Sequence, residues 1–144
     1  DRAYIPPYDH SDVISGQGTL GLEVMEELTA VEELWLPVGG GGLASGNVLS
    51  AGDSSQVVGA EPLLASDAYQ SLRLGIRQPQ MEPKTCADGL RTALGKLNFD
   101  ILSKYSLPIH LVDEAEILKA QSLLMSCLKI VVEPSAAVSF AALL

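Results

Sequence analysis

Short apolar runs alternate with amphipathic stretches along this chain. Compact apolar runs predict buried strands at residues 34–38, 56–60 and 109–112. Apolar residues at helical spacing predict a helix that Thr19 caps and that ends near Thr29, and a second helix that Asp113 caps. Further helices are expected at residues 43–49, 66–74 and 99–105, and a last one is expected to begin at Pro134.

The order of these elements predicts the fold class. The strand at 34–38, the helix at 43–49 and the strand at 56–60 form a βαβ unit, which joins parallel strands. Because strands alternate with helices, we predict an α/β fold with a mostly parallel sheet and flanking helices. No internal repeat or linker divides the 144 residues, so we expect a single domain.

The composition limits the partners that the chain can have. Nine Lys+Arg against eighteen Asp+Glu give a net charge of −9, which repels nucleic acid and anionic lipid. No apolar run approaches the roughly 18 residues that span a bilayer, and the first residues do not form a signal peptide. We therefore expect a cytoplasmic protein with no nucleic-acid or membrane partner. Cys86 and Cys127 have no CxxC spacing or nearby His, so we predict two buried thiols.

Four consecutive glycines follow the first predicted strand: Gly39, Gly40, Gly41 and Gly42. Without Cβ atoms their backbone N–H groups can approach a ligand closely, and the next helix adds the positive end of its dipole. This arrangement favours a phosphate group over the alternative, a flexible connector. No Lys-Ser or Lys-Thr follows, which excludes the nucleoside triphosphate loop.

A dinucleotide fingerprint is an alternative interpretation of the same turn. Gly39, Gly41 and Ala44 fit the pattern G-x-G-x-x-A. Glu61 ends the next predicted strand about 20 residues further on, where an acid that binds a ribose belongs. A Rossmann-type nucleotide-binding module therefore stays open as a prediction from the residues alone.

Seven segments, taken in order and spacing, resemble a known family. They are residues 4–10 (YIPPYDH), 14–19 (ISGQGT), 37–43 (PVGGGGL), 59–62 (GAEP), 67–71 (DAYQS), 84–90 (KTCADGL) and 133–137 (EPSAA). They resemble the serine racemase and threonine/serine dehydratase family, in the fold type II group of pyridoxal-phosphate enzymes. The resemblance identifies residues 1–144 as a partial, tryptophan synthase beta-like domain: the later half of a large domain, truncated at both ends.

The resemblance implies pyridoxal phosphate as the cofactor. Its phosphate is expected on the four glycines and the backbone of Leu43, in agreement with the phosphate prediction above. Asp88 and Gly89 resemble the loop against the cofactor ring, and Glu133 resembles the acid near cofactor and substrate. From the residues alone, an ordinary turn at Asp88 and a first-turn helix carboxylate at Glu133 remain open.

The same resemblance implies a divalent cation. Glu61, the Ala65 carbonyl and Asp67 match positions that ligate Mg²⁺ or Mn²⁺ in serine racemase-like members. Hard oxygen ligands on a turn between a strand and a helix suit such an ion. The alternative is structural, with Asp67 at a helix start and Glu61 in solvent.

The family's chemistry needs a lysine that holds the cofactor as a Schiff base and moves the substrate's α-proton. No lysine here lies in a matching segment, so we assign no catalytic residue and expect the chain to be inactive alone; the lysines are Lys84, Lys96, Lys104, Lys119 and Lys129. The resemblance implies a fragment of an L-serine/L-threonine ammonia-lyase or a serine racemase, with a hydroxy amino acid as substrate. We expect a homo-oligomer, or a non-catalytic chain that pairs with a homologous full-length subunit.

Overall fold

A computed structural model describes residues 3–52, 54–80 and 82–144. Its helices and strands follow in the order α1 (Ser11–Gln17), α2 (Thr19–Glu27), β1 (Glu33–Pro37), α3 (Gly42–Ala51), β2 (Gln56–Pro62), α4 (Asp67–Leu74), α5 (Lys96–Lys104), β3 (Ile109–Val112), α6 (Glu114–Leu128) and α7 (Pro134–Leu143). Short 3-10 turns lie at Leu63–Ala65 and Asp88–Leu90. Within the described ranges, none of the helices is long and apolar enough to cross a membrane.

β2 is the middle strand of a parallel sheet with the order β1-β2-β3. Gly59 of β2 pairs with Leu36 on one side and with Ile109 on the other. Every residue of β2 after Gln56 is buried, as expected for a strand covered on both faces. The predicted α/β class with a mostly parallel sheet, and the predicted βαβ unit, are confirmed.

Two apolar cores cover the opposite faces of the sheet. On one face, Leu36 and Val57 pack with Val48 of α3 and Leu102 of α5. The other face packs against α6 and α7, and its core contains Ala60, Val112, Ile117, Ala120, Ala137 and Val138. Because the strands are parallel, their carboxyl ends meet at one edge, which is the usual place for a binding site in such folds.

The predicted elements form, although several begin or end at other residues. β3 spans the predicted residues, and Pro134 is the first residue of α7. At the start of α6 the Asp113 carboxylate accepts the Glu116 N–H at 2.8 Å, and the Glu116 carboxylate accepts the Asp113 N–H at 2.7 Å. This reciprocal pair confirms the predicted cap.

The first two helices differ from the prediction. Ser11–Gln17 forms α1, where the hydrophobic pattern predicts no element. Thr19 is not the cap of α2, because the backbone is already helical at Gly18, and the Thr19 hydroxyl donates to the Gly16 carbonyl instead. A cap needs an extended residue whose side chain faces the helix start.

The buried side of α2 also differs from its apolar pattern. The apolar residues at helical spacing are Leu20, Val24 and Leu28; Val24 is half-buried, but Leu20 and Leu28 are 40% and 56% exposed, whereas Gly21 is buried. A Cβ on Gly21 would lie 2.5 Å from the Ser50 hydroxyl oxygen of α3. The inward side of α2 therefore contains Gly21, where the helix closely approaches α3, and the half-buried Val24 and Met25.

Asp9 explains why α5 begins three residues before its predicted start. The Asp9 carboxylate accepts the N–H groups of Lys96 and Leu97, each at 2.9 Å. Gly95, which precedes the helix, has no side chain to do this. The first amides of α5 are thus satisfied by a residue far away in the sequence. A local sequence pattern cannot show this contact.

The two thiols have different environments. Cys86 is partly buried, and burial raises the pKa of its thiol to about 11. Cys127 is exposed on the outer side of α6, so the prediction that both cysteines are buried is wrong for Cys127. Its apolar neighbours Leu118, Met125 and Leu128 are exposed on the same helix.

Candidate functional site

The glycine turn connects β1 with the N-terminus of α3. Gly41 precedes the helix with φ of 91°, the left-handed region that favours glycine, and it offers no side-chain cap. No acceptor among the described residues pairs with the N–H groups of Gly40, Gly41, Gly42 or Leu43. Unpaired amides and the positive end of the helix dipole therefore face the same region.

Neighbouring segments close so tightly on the turn that side chains are excluded from it. A Cβ on Gly40 would overlap the Tyr8 ring, and a Cβ on Gly42 would lie 2.9 Å from the Tyr8 carbonyl oxygen. On the other side, a Cβ on Gly41 would lie 2.6 Å from the Leu94 side chain. The glycines are thus required by packing as well as by backbone conformation.

A cavity of about 420 Å³ lies over the turn. The structure brings Gly89 to this cavity, together with the four glycines and Leu43. Thr92 also lines it, and its buried hydroxyl oxygen has no hydrogen-bond partner among the described residues. No local sequence pattern marks Thr92 as a site residue, because only the fold brings the loop after Asp88 against Gly39.

Asp88 and Glu133 lie beside Gly89 rather than in the cavity lining. The Gly89 N–H donates to the Ser135 hydroxyl at 2.9 Å, which joins this loop to the first turn of α7. A Cβ on Gly89 would lie 3.6 Å from a Glu133 carboxylate oxygen. Asp88 and Glu133 are both exposed, so their carboxylates are open to solvent next to the cavity.

A carboxylate of α6 anchors the loop that leads to Gly89. Glu114 accepts the Cys86 N–H at 2.6 Å. Burial acts to raise the pKa of Glu114, but hydrogen bonds from Cys86 and Thr85, together with the charge of Arg91, outweigh it and lower the pKa overall. Glu114 is therefore ionised at neutral pH and holds the loop through a charge-assisted hydrogen bond.

Two further carboxylates are buried where β2 ends and α4 begins. Glu61 is 1% exposed and accepts the N–H groups of Ala68 and Tyr69 at 2.9 and 2.8 Å. Burial raises the pKa of Glu61 to about 8 and also raises the pKa of Asp67. Asp67 is 3% exposed and accepts the Leu94 N–H at 2.9 Å.

The position of Glu61 bears on the three roles left open for it: binding a ribose, binding a cation, or lying in solvent. Its carboxylate faces the first turn of α4, so it does not extend toward a ribose and is not in solvent. The Ala65 carbonyl oxygen accepts no hydrogen bond from the residues described here. No three His, Cys, Asp or Glu side chains converge in the described ranges, so a cation would need this carbonyl with the two carboxylates.

Comparison with known proteins defines the family to which this chain belongs. The family model described as "Pyridoxal-phosphate dependent enzyme" matches residues 1–144, so the chain belongs to this family. The predicted resemblance and the fold type II class are thereby confirmed. Family membership also argues against the Rossmann-type alternative.

The relatives include both lyases and racemases. L-threo-3-hydroxyaspartate ammonia-lyase of Saccharomyces cerevisiae is 43% identical over 143 residues, which are 96% of this chain and 44% of that protein. The crystal structure of serine racemase from Dictyostelium discoideum matches with 42% identity and a TM-score of 0.90, over 96% of this chain and 45% of that one. The processed form of threonine deaminase isoform 2 from Solanum lycopersicum matches with 32% identity and a TM-score of 0.90, over 96% and 39%. The chain spans less than half the length of these proteins.

The glycine turn generates a prediction about stability. In Gly41→Ala, the strained backbone and the contact with Leu94 should lower the free energy of unfolding by about 1–3 kcal/mol. In the matched control Gly16→Ala, where no neighbouring atom lies within 4 Å of the added Cβ, stability should be unchanged or higher by up to about 1 kcal/mol. Urea denaturation measures both. Equal stability of Gly41→Ala and the wild type would contradict the described turn.

Proposed function

We propose that this chain forms part of a pyridoxal-phosphate-dependent ammonia-lyase or racemase that acts on hydroxy amino acids. The observation that carries the proposal is the glycine turn, whose four unpaired amides lie at the N-terminus of α3. The names of the relatives, serine racemase, threonine deaminase and hydroxyaspartate ammonia-lyase, support the substrate class. Dehydration and racemisation both begin with removal of the substrate's α-proton. The glycine turn is therefore compatible with both reactions and does not distinguish between them.

The turn fits the phosphate group of the cofactor. A phosphate accepts several hydrogen bonds at once. When several N–H groups and the N-terminus of a helix converge on it, they can bind it without a positively charged side chain. We propose that the backbone amides of Gly39, Gly40, Gly41, Gly42 and Leu43 bind this phosphate. The Thr92 hydroxyl is buried and has no partner among the described residues, so it can donate a further hydrogen bond to a ligand in the cavity.

We propose that the ring of the cofactor occupies the rest of the cavity. When bound, the cofactor supplies an electron sink for the charge left at the substrate Cα. We propose that Gly89 lets the backbone approach the face of the ring and that Asp88 and Glu133 lie at its edge, with Glu133 next to the substrate. None of the chain's five lysines lines this cavity. We therefore propose that the Schiff-base lysine comes from residues outside this sequence.

The acidic pair fits a hard divalent cation. Burial raises the pKa of both Glu61 and Asp67, so each charge lacks part of the stabilisation that water would give. We propose that Mg²⁺ or Mn²⁺ supplies it, with the Glu61 and Asp67 carboxylates and the Ala65 carbonyl as ligands. Carboxylate and carbonyl oxygens are the donors that these ions prefer.

The cofactor assignment leads to a binding prediction. In the full chain that contains this sequence, pyridoxal phosphate and inorganic phosphate should both shift the amide resonances of Gly40 to Leu43, because both bring an anion to the turn. Gly41→Ala should abolish these shifts, while the control Gly16→Ala should keep them. NAD should leave them unchanged. Larger shifts with NAD that extend to Glu61 would instead favour a dinucleotide site.

The cation assignment is tested with Mn²⁺, which electron paramagnetic resonance detects directly. The wild type should bind Mn²⁺ and gain thermal stability from it. Asp67→Asn keeps an acceptor for the Leu94 N–H but removes a charged ligand, so Mn²⁺ binding should weaken by at least about tenfold. The exposed Asp100→Asn is the control and should bind like the wild type. Saturable binding that is equal in all three proteins would refute the assignment.

We also propose that the chain self-associates or pairs with a homologous subunit. Leu118 and Leu128 on α6 are 51% and 60% exposed, and Val131 after it is 90% exposed. In the described residues the outer edges of β1 and β3 have no neighbouring strand, and such edges favour association. Sedimentation at several concentrations should give a mass that rises with concentration. A constant monomer mass would refute self-association.

A further inference from the structure

The carbonyl group of Gly40 is held from the side of α5. The Asn98 Nδ2 group donates to it at 2.9 Å, and the Gly95 N–H donates at 3.0 Å. The same Asn98 amide donates to the Tyr8 carbonyl at 3.1 Å. One side chain therefore joins α5 both to the glycine turn and to the N-terminal segment that packs on that turn.

The orientation of the Asn98 amide follows from its partners. Both acceptors are carbonyl oxygens, so the amide nitrogen must face them. Asn98 is fully buried, and its Oδ1 atom has no hydrogen-bond partner among the described residues. A buried acceptor without a donor costs free energy. The cost of the unpaired Oδ1 atom offsets part of the stability that the two donated bonds contribute.

The orientation of one amide in the turn depends on this contact. In a trans peptide unit, the carbonyl of one residue and the N–H of the next point in opposite directions. Because Asn98 and Gly95 hold the Gly40 carbonyl toward α5, the Gly41 N–H points away from α5. Gly41 lines the cavity, and its N–H has no partner among the described residues. The hydrogen bonds that Asn98 and Gly95 donate to the Gly40 carbonyl therefore fix the direction of the Gly41 N–H.

We propose that Asn98 is a positioning residue for the phosphate site, because it fixes the Gly40–Gly41 peptide unit so that the Gly41 N–H is directed at a bound phosphate. The proposal rests on the proposed function, since it needs a phosphate at the turn. The Gly95 N–H shares the Gly40 carbonyl with Asn98, but only Asn98 also binds the Tyr8 carbonyl. Asn98 also fixes the Tyr8 backbone, which closes the turn on its opposite side.

The first test uses the wild-type full chain in the cofactor-free form. Inorganic phosphate should shift the Gly41 amide resonance strongly and slow its hydrogen exchange, because this N–H becomes a hydrogen-bond donor to the anion. The Gly95 amide, which already donates to Gly40, should change little. Binding of phosphate without any change at Gly41 would overturn the proposal.

The second test separates positioning from general damage. Asn98→Leu keeps the side-chain size but removes both donated bonds. It should weaken pyridoxal phosphate binding by about tenfold to a hundredfold. Pyridoxal, which lacks the phosphate, should bind as it does to the wild type. The control Ser55→Ala removes a bond to the Val31 carbonyl near the amino-terminal ends of β1 and β2, and it should change neither affinity.

The outcomes are distinguishable. Equal losses for pyridoxal phosphate and pyridoxal in Asn98→Leu would show a merely structural role and overturn the proposal, as would equal affinity of the variant and the wild type for pyridoxal phosphate. If Asn98→Leu does not fold, Asn98→Ser is measured against the same pair of ligands, and a selective loss for the phosphorylated one is expected. A wild type that binds neither phosphate nor pyridoxal phosphate would refute the proposed function itself.

Discussion

The contact of Tyr8 and Leu94 with bare backbone at the glycine turn is the constraint on which the site depends. Any Cβ on Gly40 would overlap the Tyr8 ring, and any Cβ on Gly41 would contact Leu94. Because these residues have none, the N-terminal segment, the loop before α5 and the start of α3 all meet at the end of β1. Tyr8 and Leu94 thus pack against the turn, while its residues line the cavity and the amides of residues 40–43 have no acceptor among the described residues.

Carboxylates accept the first amides of α4, α5 and α6, but not those of α3. Glu61 accepts the first amides of α4, Asp9 those of α5 and Asp113 one of α6. α3 is preceded by Gly41, which has no side chain, and no side chain of the described residues accepts its first amides. The proposed phosphate site thus lies at a helix start that no carboxylate of the described residues occupies.

Much of the fold follows from patterns that are local in sequence. The apolar run at 109–112 is β3, and the reciprocal cap of α6 consists of Asp113 and Glu116, three residues apart. The glycine turn was also predictable, because its residues are consecutive and its chemistry is that of the backbone. The presence of α1 and the buried side of α2 were not, since α2 packs through Gly21, which no hydrophobic pattern marks. Thr92 and Asn98 likewise acquire meaning only from distant partners: Thr92 from Gly39, and Asn98 from Gly40 and Tyr8.

The bond between Asp9 and α5 has a consequence for the order of folding. Tyr8 and Asp9 leave the ribosome almost ninety residues before Leu97, to which the Asp9 carboxylate binds. During synthesis the β1–α3–β2 unit can pair locally, while the N-terminal segment must wait for α5 and then close a long loop. Because Tyr8 packs on the glycine turn, the proposed phosphate site is complete only after this docking.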